Sequence, residues 1–336
     1  MKIRSIKDLA LQLGISKTTV SFVLSGQGDL RGVSKETQEK VLAYARQHQF
    51  KPSQLGRNLS TGRSQTMGLI VPNLSDPFYA RIFSRISDLF YQKGYVVAGV
   101  SSDESEEKER HLIKALKQRG VDGLLLATCL LPGNDWLSKF GFGRPVVLFD
   151  RESPGSGLPV VAVDNEQGAW RLTRELIARG HQDIALVYVT PWLSTIQHRI
   201  NGFRRAMREA GLEGRLDLES HIDVRDLRHQ MQVALMRFCN QERPATAVVL
   251  LNNVLGAEAV YCLHRQWALP NKPALACFDD IDLFDFVHPP VISVAQPFDA
   301  LADACVDTMM GLLEAKSEAK EVTGVVKLIE TTLIIR

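Results

Sequence analysis

No two cysteines in this 336-residue chain are spaced as a CxxC pair. The five that occur, Cys129, Cys239, Cys262, Cys277 and Cys305, are scattered and odd in number. That excludes a disulfide framework and a zinc motif, and all five read as buried free thiols. No apolar run approaches the ~18 residues of a membrane span. The opening residues, Met1-Lys2-Ile3-Arg4-Ser5-Ile6-Lys7-Asp8, lack the apolar stretch and small-residue cleavage site of a secretory signal, so a cytoplasmic protein is expected. GxxxxGK[ST], HExxH and GxSxG are all missing, which removes the phosphate loop, the zincin helix and the nucleophile elbow. Gly141-Phe142-Gly143 is too short for a dinucleotide loop, and the eight histidines show no metal-ligand spacing. No catalytic residue, metal or cofactor is expected.

What is present is a chain long enough for two domains, with charge of opposite sign in its two parts. Residues 1–65 hold 11 Lys and Arg against 4 Asp and Glu, a net charge of +7; the remainder is net −5. A basic head on an acidic body points to a polyanionic partner for the head alone, bound with a steep salt dependence.

The head reads as three short helices. Ser5 caps the first, in which Ile6, Leu9, Ala10 and Leu13 make one apolar stripe, and Gly14 ends it. Ser16 caps a second helix over 17–24, with Val20, Val23 and Leu24 inward. Ser34 caps a third, with Val33 as a hydrophobic staple and Val41, Leu42 and Ala45 on its inner face. Pro52 closes the unit. Two short helices joined by a Gly-containing turn form a helix-turn-helix, whose second helix enters the DNA major groove. Its leading polar residues, Ser16, Lys17, Thr18 and Ser21, are the candidate base-reading side chains; Lys17 suits guanine O6 and N7.

The stretches IKDLALQLGISKTTVSFVLSG and VSKETQEKVLAYARQHQFKPSQLGRNLSTGRSQTMGLIVP resemble the head and hinge of the LacI/GalR family of bacterial repressors. The likeness continues through the body. It implies that residues 53–60 are a hinge helix that folds on the operator, with Leu59 as the leucine wedged into the minor groove and Leu55 and Gly56 at the close contact. Gly56 stands where the family usually has alanine, and glycine lowers helix propensity by ~1 kcal/mol. Taken without the resemblance, eight residues cannot hold an isolated helix and the segment reads as an inert linker.

From Thr66 onward, short apolar runs alternate with amphipathic helices. Strands are expected at 67–71, 96–100, 124–127, 146–149, 184–189, 247–251 and 274–278, and helices at 77–93, 106–119, 166–179, 196–210, 255–267 and 298–313. Several helices end on glycine: Gly94, Gly120, Gly180 and Gly211. This alternation means parallel sheets covered on both faces. The resemblance implies a two-lobed periplasmic-binding-protein type I body with a ligand cleft between the lobes. The fold class is thus a small all-α helix-turn-helix head plus an α/β two-lobed body with parallel sheets. The expected domains are 1–52, a hinge and linker at 53–65, and the effector-binding and dimerisation body at 66–336. Lobe 1 takes about 66–162 and 294–324, and lobe 2 takes 163–293 and 325–336.

Ligands of open α/β sheets bind beyond the carboxyl ends of the strands. The candidate effector residues there are Ser75, Asp76, Asp150, Arg151, Arg199, Asn253, Asp279 and Gln296, with Asn73 and Asn252 nearby. Carboxylates and amides suit sugar hydroxyls, and arginine suits an anionic group. Competing structural roles are a helix cap for Asp76, a surface ion pair for Asp150-Arg151, a turn for Asp279-Asp280 and a structural arginine for Arg199. Asn252-Asn253 departs from the family's common Asn-Asp pair. The segments VVLFDRE and FDDIDLFDFVHPPVISVAQ look most like the fructose and sucrose branch, which implies a phosphorylated fructose as effector, with a neutral hexose as the alternative.

The function expected is a sugar-responsive, sequence-specific DNA-binding repressor and not an enzyme. Its partners are double-stranded operator DNA, a sugar or phosphosugar, and a second copy of itself, with no membrane. A homodimer is expected, with a tetramer as the alternative, although no heptad repeat closes the sequence. The rival classes are a phosphosugar enzyme and a transport binding protein. The missing catalytic constellation weighs against the first, and the basic head against the second.

Overall fold

The computed structural model describes residues 5–50, 63–130, 136–213, 215–265, 272–315 and 326–336. The hinge positions Leu55, Gly56 and Leu59 lie outside these residues. The chain divides into two compact units, Met1–Gln65 and Thr66–Arg336.

The head contains α1 (Ile6–Leu13), α2 (Lys17–Leu24) and α3 (Lys35–Gln47). Each starts on the serine expected from sequence. The hydroxyls of Ser5, Ser16 and Ser34 accept the backbone N–H groups of Asp8, Thr19 and Thr37. These bonds satisfy donors that a helix start leaves unpaired. Gly14 ends α1 at φ +65°, a conformation that costs glycine nothing. Leu9, Ala10, Val20, Val23, Val41 and Ala45 form the core. Leu42, expected to face inward, is 38% exposed. Val41 and Ala45 share one face at i, i+4 spacing, and Leu42 lies a hundred degrees further round the helix.

The body is built on two six-stranded sheets. The first holds β1 (Thr66–Val71), β2 (Val96–Ser101), β3 (Gly123–Leu126), β4 (Val146–Phe149), β5 (Val160–Val163) and β11 (Val326–Ile329), in the order β11-β5-β4-β3-β1-β2. All its pairings are parallel. The second holds β6 (Ile184–Tyr188), β7 (Glu219–His221), β8 (Ala247–Leu250), β9 (Ala274–Phe278), β10 (Ile292–Ala295) and β12 (Thr332–Ile334), in the order β12-β10-β9-β8-β6-β7. Only its edge pair, β10 with β12, is antiparallel. The strands are apolar without alternation because helices cover both faces.

On the first sheet, α4 (Pro77–Gln92) and α11 (Phe298–Ala315) pack on one face and α5 (Glu106–Gln118) on the other. The short α6 (Trp136–Phe140) packs beside α5. On the second sheet, α7 (Asn165–Ala178) and α8 (Ser194–Glu209) cover one face; α9 (Leu227–Cys239) and α10 (Asn253–Arg265) cover the other. All five cysteines are buried free thiols.

The chain passes between sheets after β5, after β10 and between β11 and β12. The last two crossings differ from the expected lobe boundaries. β10 stays in the second sheet through Ala295. Residues 325–336, expected whole in lobe 2, are split, because β11 pairs with β5 in the first sheet. β11, largely exposed, pairs along that sheet's edge, and the Glu330-Thr331 link carries the chain across.

One close approach frames the site. A Cβ built on Gly202 of α8 would lie 2.1 Å from the Glu166 carbonyl oxygen of α7. Backbone cannot yield there as a flexible side chain would. Gly202→Ala is expected to force these helices apart and destabilise the body by about 1–3 kcal/mol, read as a lowered denaturant midpoint. An unchanged midpoint would show that the α7–α8 spacing relaxes freely.

Candidate effector cleft and DNA-reading helix

The loops at the carboxyl ends of both sheets enclose a cavity of about 430 Å³, a size suited to a small ligand. Residues following β1, β2, β4, β6, β8, β9 and β10 reach it, as the rule for open α/β sheets requires. Five non-glycine residues on its wall hold positive φ: Asp103 (+54°), Glu104 (+56°), Asp150 (+62°), Thr190 (+46°) and Asp279 (+80°). Such residues cost of order 1–3 kcal/mol each and persist where the surroundings impose them. Their concentration around one cavity makes it the candidate functional site of the body.

On the first-lobe wall, Asp76 caps α4 by accepting the Phe78 N–H at 2.8 Å while still lining the cavity. The cap and a place on the cavity wall are thus compatible at this residue. Ser75 is exposed and does not line the cavity; its N–H is turned to Asn73 Oδ1 at 2.8 Å. That Asx turn puts Asn73 at the cavity in its place. Asp150 and Arg151 are both 7% exposed and are not a surface pair. Asp150 accepts the Tyr79 hydroxyl at 2.6 Å. Arg151 donates from Nη1 and Nη2 to Glu104 at 2.8 and 2.7 Å, while its Nε is buried with no hydrogen-bond partner.

On the second-lobe wall, Arg199 of α8 is 4% exposed. Its Nε donates to Asn165 Oδ1 at 2.8 Å and its Nη1 to the Leu251 carbonyl at 2.7 Å. The guanidinium lies over the Phe278 ring, 3.7 Å from its centroid. Nη1 also stands 3.7 Å from Asp279 Oδ2. Asp279 accepts the Asn253 N–H at 3.2 Å and the Gln296 Nε2–H at 2.5 Å. Gln296 Oε1 is buried without a partner. Buried polar atoms are nearly always bonded; Arg151 Nε stands 3.7 Å from Asp150 Oδ2, and Gln296 Oε1 is the cleft acceptor left without a hydrogen bond among the described residues. Asn252 caps α10 through the Leu255 N–H, and Asn253 Oδ1 accepts the Val254 N–H.

The cavity thus collects Asp76, Asp150, Arg151, Arg199, Asn253, Asp279 and Gln296, and leaves out Ser75. The sequence reading missed Tyr79, Glu104, Thr190, Asn165 and Phe278. Tyr79 and Phe278 read as ordinary core residues, and Glu104 sits in a charged run that reads as solvated surface. The one available signal was position, since Glu104 and Thr190 lie two to three residues past strand ends.

Burial, reinforced by the Asp279 charge, raises the pKa of Asp76 above its ordinary 3.8. Burial also raises that of Asp150, against the opposing pull of Arg151 and Tyr79. Groups with raised folded-state values contribute stability that is present below 3.8 and lost as pH rises through the raised values. Lowering the pH from neutrality should therefore relieve a cost in the unliganded body. It should also weaken a ligand whose hydroxyls donate to these carboxylates, since a protonated acid no longer accepts as strongly. Calorimetric titration and thermal unfolding over a pH series are expected to show affinity falling while unliganded stability rises. Affinity independent of pH down to that window would detach both carboxylates from the ligand.

In the head, Ser16, Lys17 and Thr18 are exposed on the first turn of α2, while Ser21 is half-buried. The Ser16 hydroxyl is engaged by both the N–H and the hydroxyl of Thr19. Lys17 and Thr18 are therefore the freer candidates for base edges. Among the described residues no group of three or more His, Cys, Asp or Glu could hold a metal, and no helix is long and apolar enough to cross a membrane.

Residues 5–53 match the family of bacterial regulatory proteins, lacI family. Residues 64–268 match the periplasmic binding proteins and sugar binding domain of LacI family. The chain belongs to the LacI family: it is a DNA-binding transcriptional regulator and not an enzyme. It is 29% identical over 337 residues to the fructose operon regulatory protein of Vibrio cholerae, covering 99% of each chain. It is 29% identical over 314 residues to the sucrose operon repressor of Klebsiella pneumoniae, covering 93% of each. The crystal structure of the Cra dual regulator of Pseudomonas putida in complex with fructose 1-phosphate superimposes with a TM-score of 0.71 at 25% identity, covering 80% of this chain and 98% of that one.

Proposed function

We propose that this regulator represses a sugar-utilisation operon. It binds a palindromic operator as a homodimer in the cytoplasm and is released by a fructose-type sugar held between the lobes. The observation that carries this reading is the cavity itself: carboxylates, amides and two guanidinium groups converge on it from both sheets. Carboxylates accept and guanidinium groups donate hydrogen bonds, which together suit a polyhydroxylated ligand.

The lobes touch beside the cleft where the Glu152 N–H donates to Ser194 Oγ at 3.1 Å. A ligand bridging Asp76 and Asp150 to Arg199 and Asp279 would favour one lobe arrangement over another. In a dimer that bias reaches the two hinge segments, where Leu55, Gly56 and Leu59 are assigned to the minor groove and Ser16, Lys17, Thr18 and Ser21 to the major groove. A coupling of 1–3 kcal/mol would change operator affinity about 5- to 150-fold.

Selection of bound sequences from a palindromic operator library tests this, repeated with fructose, sucrose, fructose 1-phosphate and fructose 1,6-bisphosphate. Selective binding weakened by one of these sugars is the expected result. Selective binding indifferent to all four would remove the fructose-type effector and leave the repressor. An absence of selective binding would overturn the operator reading.

A further inference from the structure

We propose that the cleft is built for an uncharged sugar and against a phosphorylated one, and that Glu104 sets this preference by occupying the guanidinium an anionic ligand group would need. The proposal rests on reading the cleft as the effector site and names the ligand class of that site.

Arg151 is the residue whose charge suggested a phosphate. In the folded chain its two terminal nitrogens are already taken, in the two-pronged geometry a phosphate would use, by the Glu104 carboxylate at 2.7 and 2.8 Å. The Arg151 side chain is 9% exposed and that of Glu104 50%. The pair is therefore shielded on one side and reachable on the other.

Glu104 is held in place. Asp103 and Glu104 both take left-handed backbone angles, +54° and +56°. The Asp103 N–H donates to the Pro72 carbonyl at 2.8 Å, and Lys108 pairs with the Asp103 carboxylate. The Ser105 N–H closes the turn on the Ser102 carbonyl at 3.1 Å. A turn strained at two successive residues and tied at three points presents Glu104 to Arg151 as a fixed internal anion.

The rest of the cavity agrees in sign. Asp76, Asp103, Asp150 and Asp279 also line it, and Arg199 is the other guanidinium there. Arg199 is committed to Asn165, the Leu251 carbonyl and Asp279. A phosphate would have to displace one carboxylate and then face several others at close range, a like-charge arrangement that disfavours the ionised ligand. Sugar hydroxyls meet the same carboxylates as hydrogen-bond donors, without a charge to be repelled.

The test titrates full-length protein with fructose, fructose 1-phosphate and inorganic phosphate at low ionic strength, in the wild type, Glu104→Gln, Glu104→Asp and the double variant Glu104→Gln/Arg151→Ala. Thermal unfolding verifies that each is folded. The wild type is expected to take up neither phosphate compound in the cleft. Glu104→Gln should gain at least about tenfold in affinity for fructose 1-phosphate and inorganic phosphate, a change of about 1.4 kcal/mol. Glu104→Asp should stay like the wild type, and the double variant should lose the gain. Wild-type protein that binds fructose 1-phosphate more tightly than fructose, or a Glu104→Gln variant with unaltered phosphate affinity, would overturn the inference. The inorganic phosphate arm reads Glu104 whichever sugar is the effector. Operator binding with each sugar, measured on the same preparations, reads the effector assignment separately.

Discussion

Arg199→Ala is expected to abolish effector binding in the full-length protein, with a loss of at least about 100-fold. The side chain is almost fully buried, spans Asn165 and the Leu251 carbonyl, and rests on Phe278. Truncation leaves Asp279 without its cation and Asn165 Oδ1 without its donor. Removing one partner from a buried charged pair costs about 3–5 kcal/mol, and each 1.4 kcal/mol is tenfold. Part of that cost falls on the fold, so unfolding of the unliganded protein should shift as well. Arg199→Lys separates the contributions: it keeps the charge but loses the planar fork and the stacking on Phe278, and should fall between wild type and alanine. Calorimetric titration beside thermal unfolding provides both readings. Sugar affinity within about twofold of wild type in Arg199→Ala, well below one 1.4 kcal/mol step, would remove this residue from the site.

Asp279 should show the second largest effect, through two separable causes. Its carboxylate accepts from Asn253 and Gln296 and faces Arg199, and its backbone sits at φ +80°. Asp279→Ala therefore loses the charge and also places an ordinary side chain in the left-handed region. The backbone effect costs roughly 1–2 kcal/mol. Asp279→Asn keeps a residue that tolerates this conformation and removes only the charge. Both variants are expected to lose about 10- to 100-fold in sugar affinity, the range of a hydrogen bond to a charged group at ~1.5–3 kcal/mol. Both variants should lower the unfolding midpoint, because each leaves Arg199 without its carboxylate, and Asp279→Ala should lower it further through the backbone. Equal midpoints for the two would show that the backbone at this position is not strained, and full affinity in Asp279→Asn would show that the ligand does not use the charge.

The two effects share a structural origin. Phe278 ends β9 under the Arg199 guanidinium, and Asp279 follows it in the left-handed turn that brings the carboxylate to the same guanidinium. Gly168 of α7 lies so close to Phe278 that an added Cβ would stand 2.8 Å from the ring. The helix pair that must stay close at Gly202 thus also holds the platform on which Arg199 rests.

Much of this molecule is legible along the chain, because its determinants are local. Ser5, Ser16 and Ser34 start helices through bonds to N–H groups three residues away, and such caps are visible as letters. Gly94 and Gly211 end helices at φ +82° and +68° for an equally local reason. Central strands such as β4 and β9 are unbroken apolar runs because both faces are covered. The strands that escaped notice include the edge strands β7, β11 and β12, where pairing with a distant partner decides the conformation, and the interior β5 and β10, which are no shorter than β3, β4 and β8. β11 becomes a strand by lying along β5, more than 160 residues earlier.

The site divides in the same way. Residue type and position after a strand were enough to nominate Asp76, Asp150, Arg151, Arg199, Asn253, Asp279 and Gln296. What those residues are free to do was decided by tertiary structure. Ser75 turned away into an Asx turn, and Ser16 spent its hydroxyl on a cap. Arg151 looked like a receptor for an anion until the fold brought Glu104, 47 residues earlier, against it. A charge is written in the sequence, but whether it is already neutralised depends on which distant side chain the fold brings within hydrogen-bond reach, and only the three-dimensional arrangement determines that.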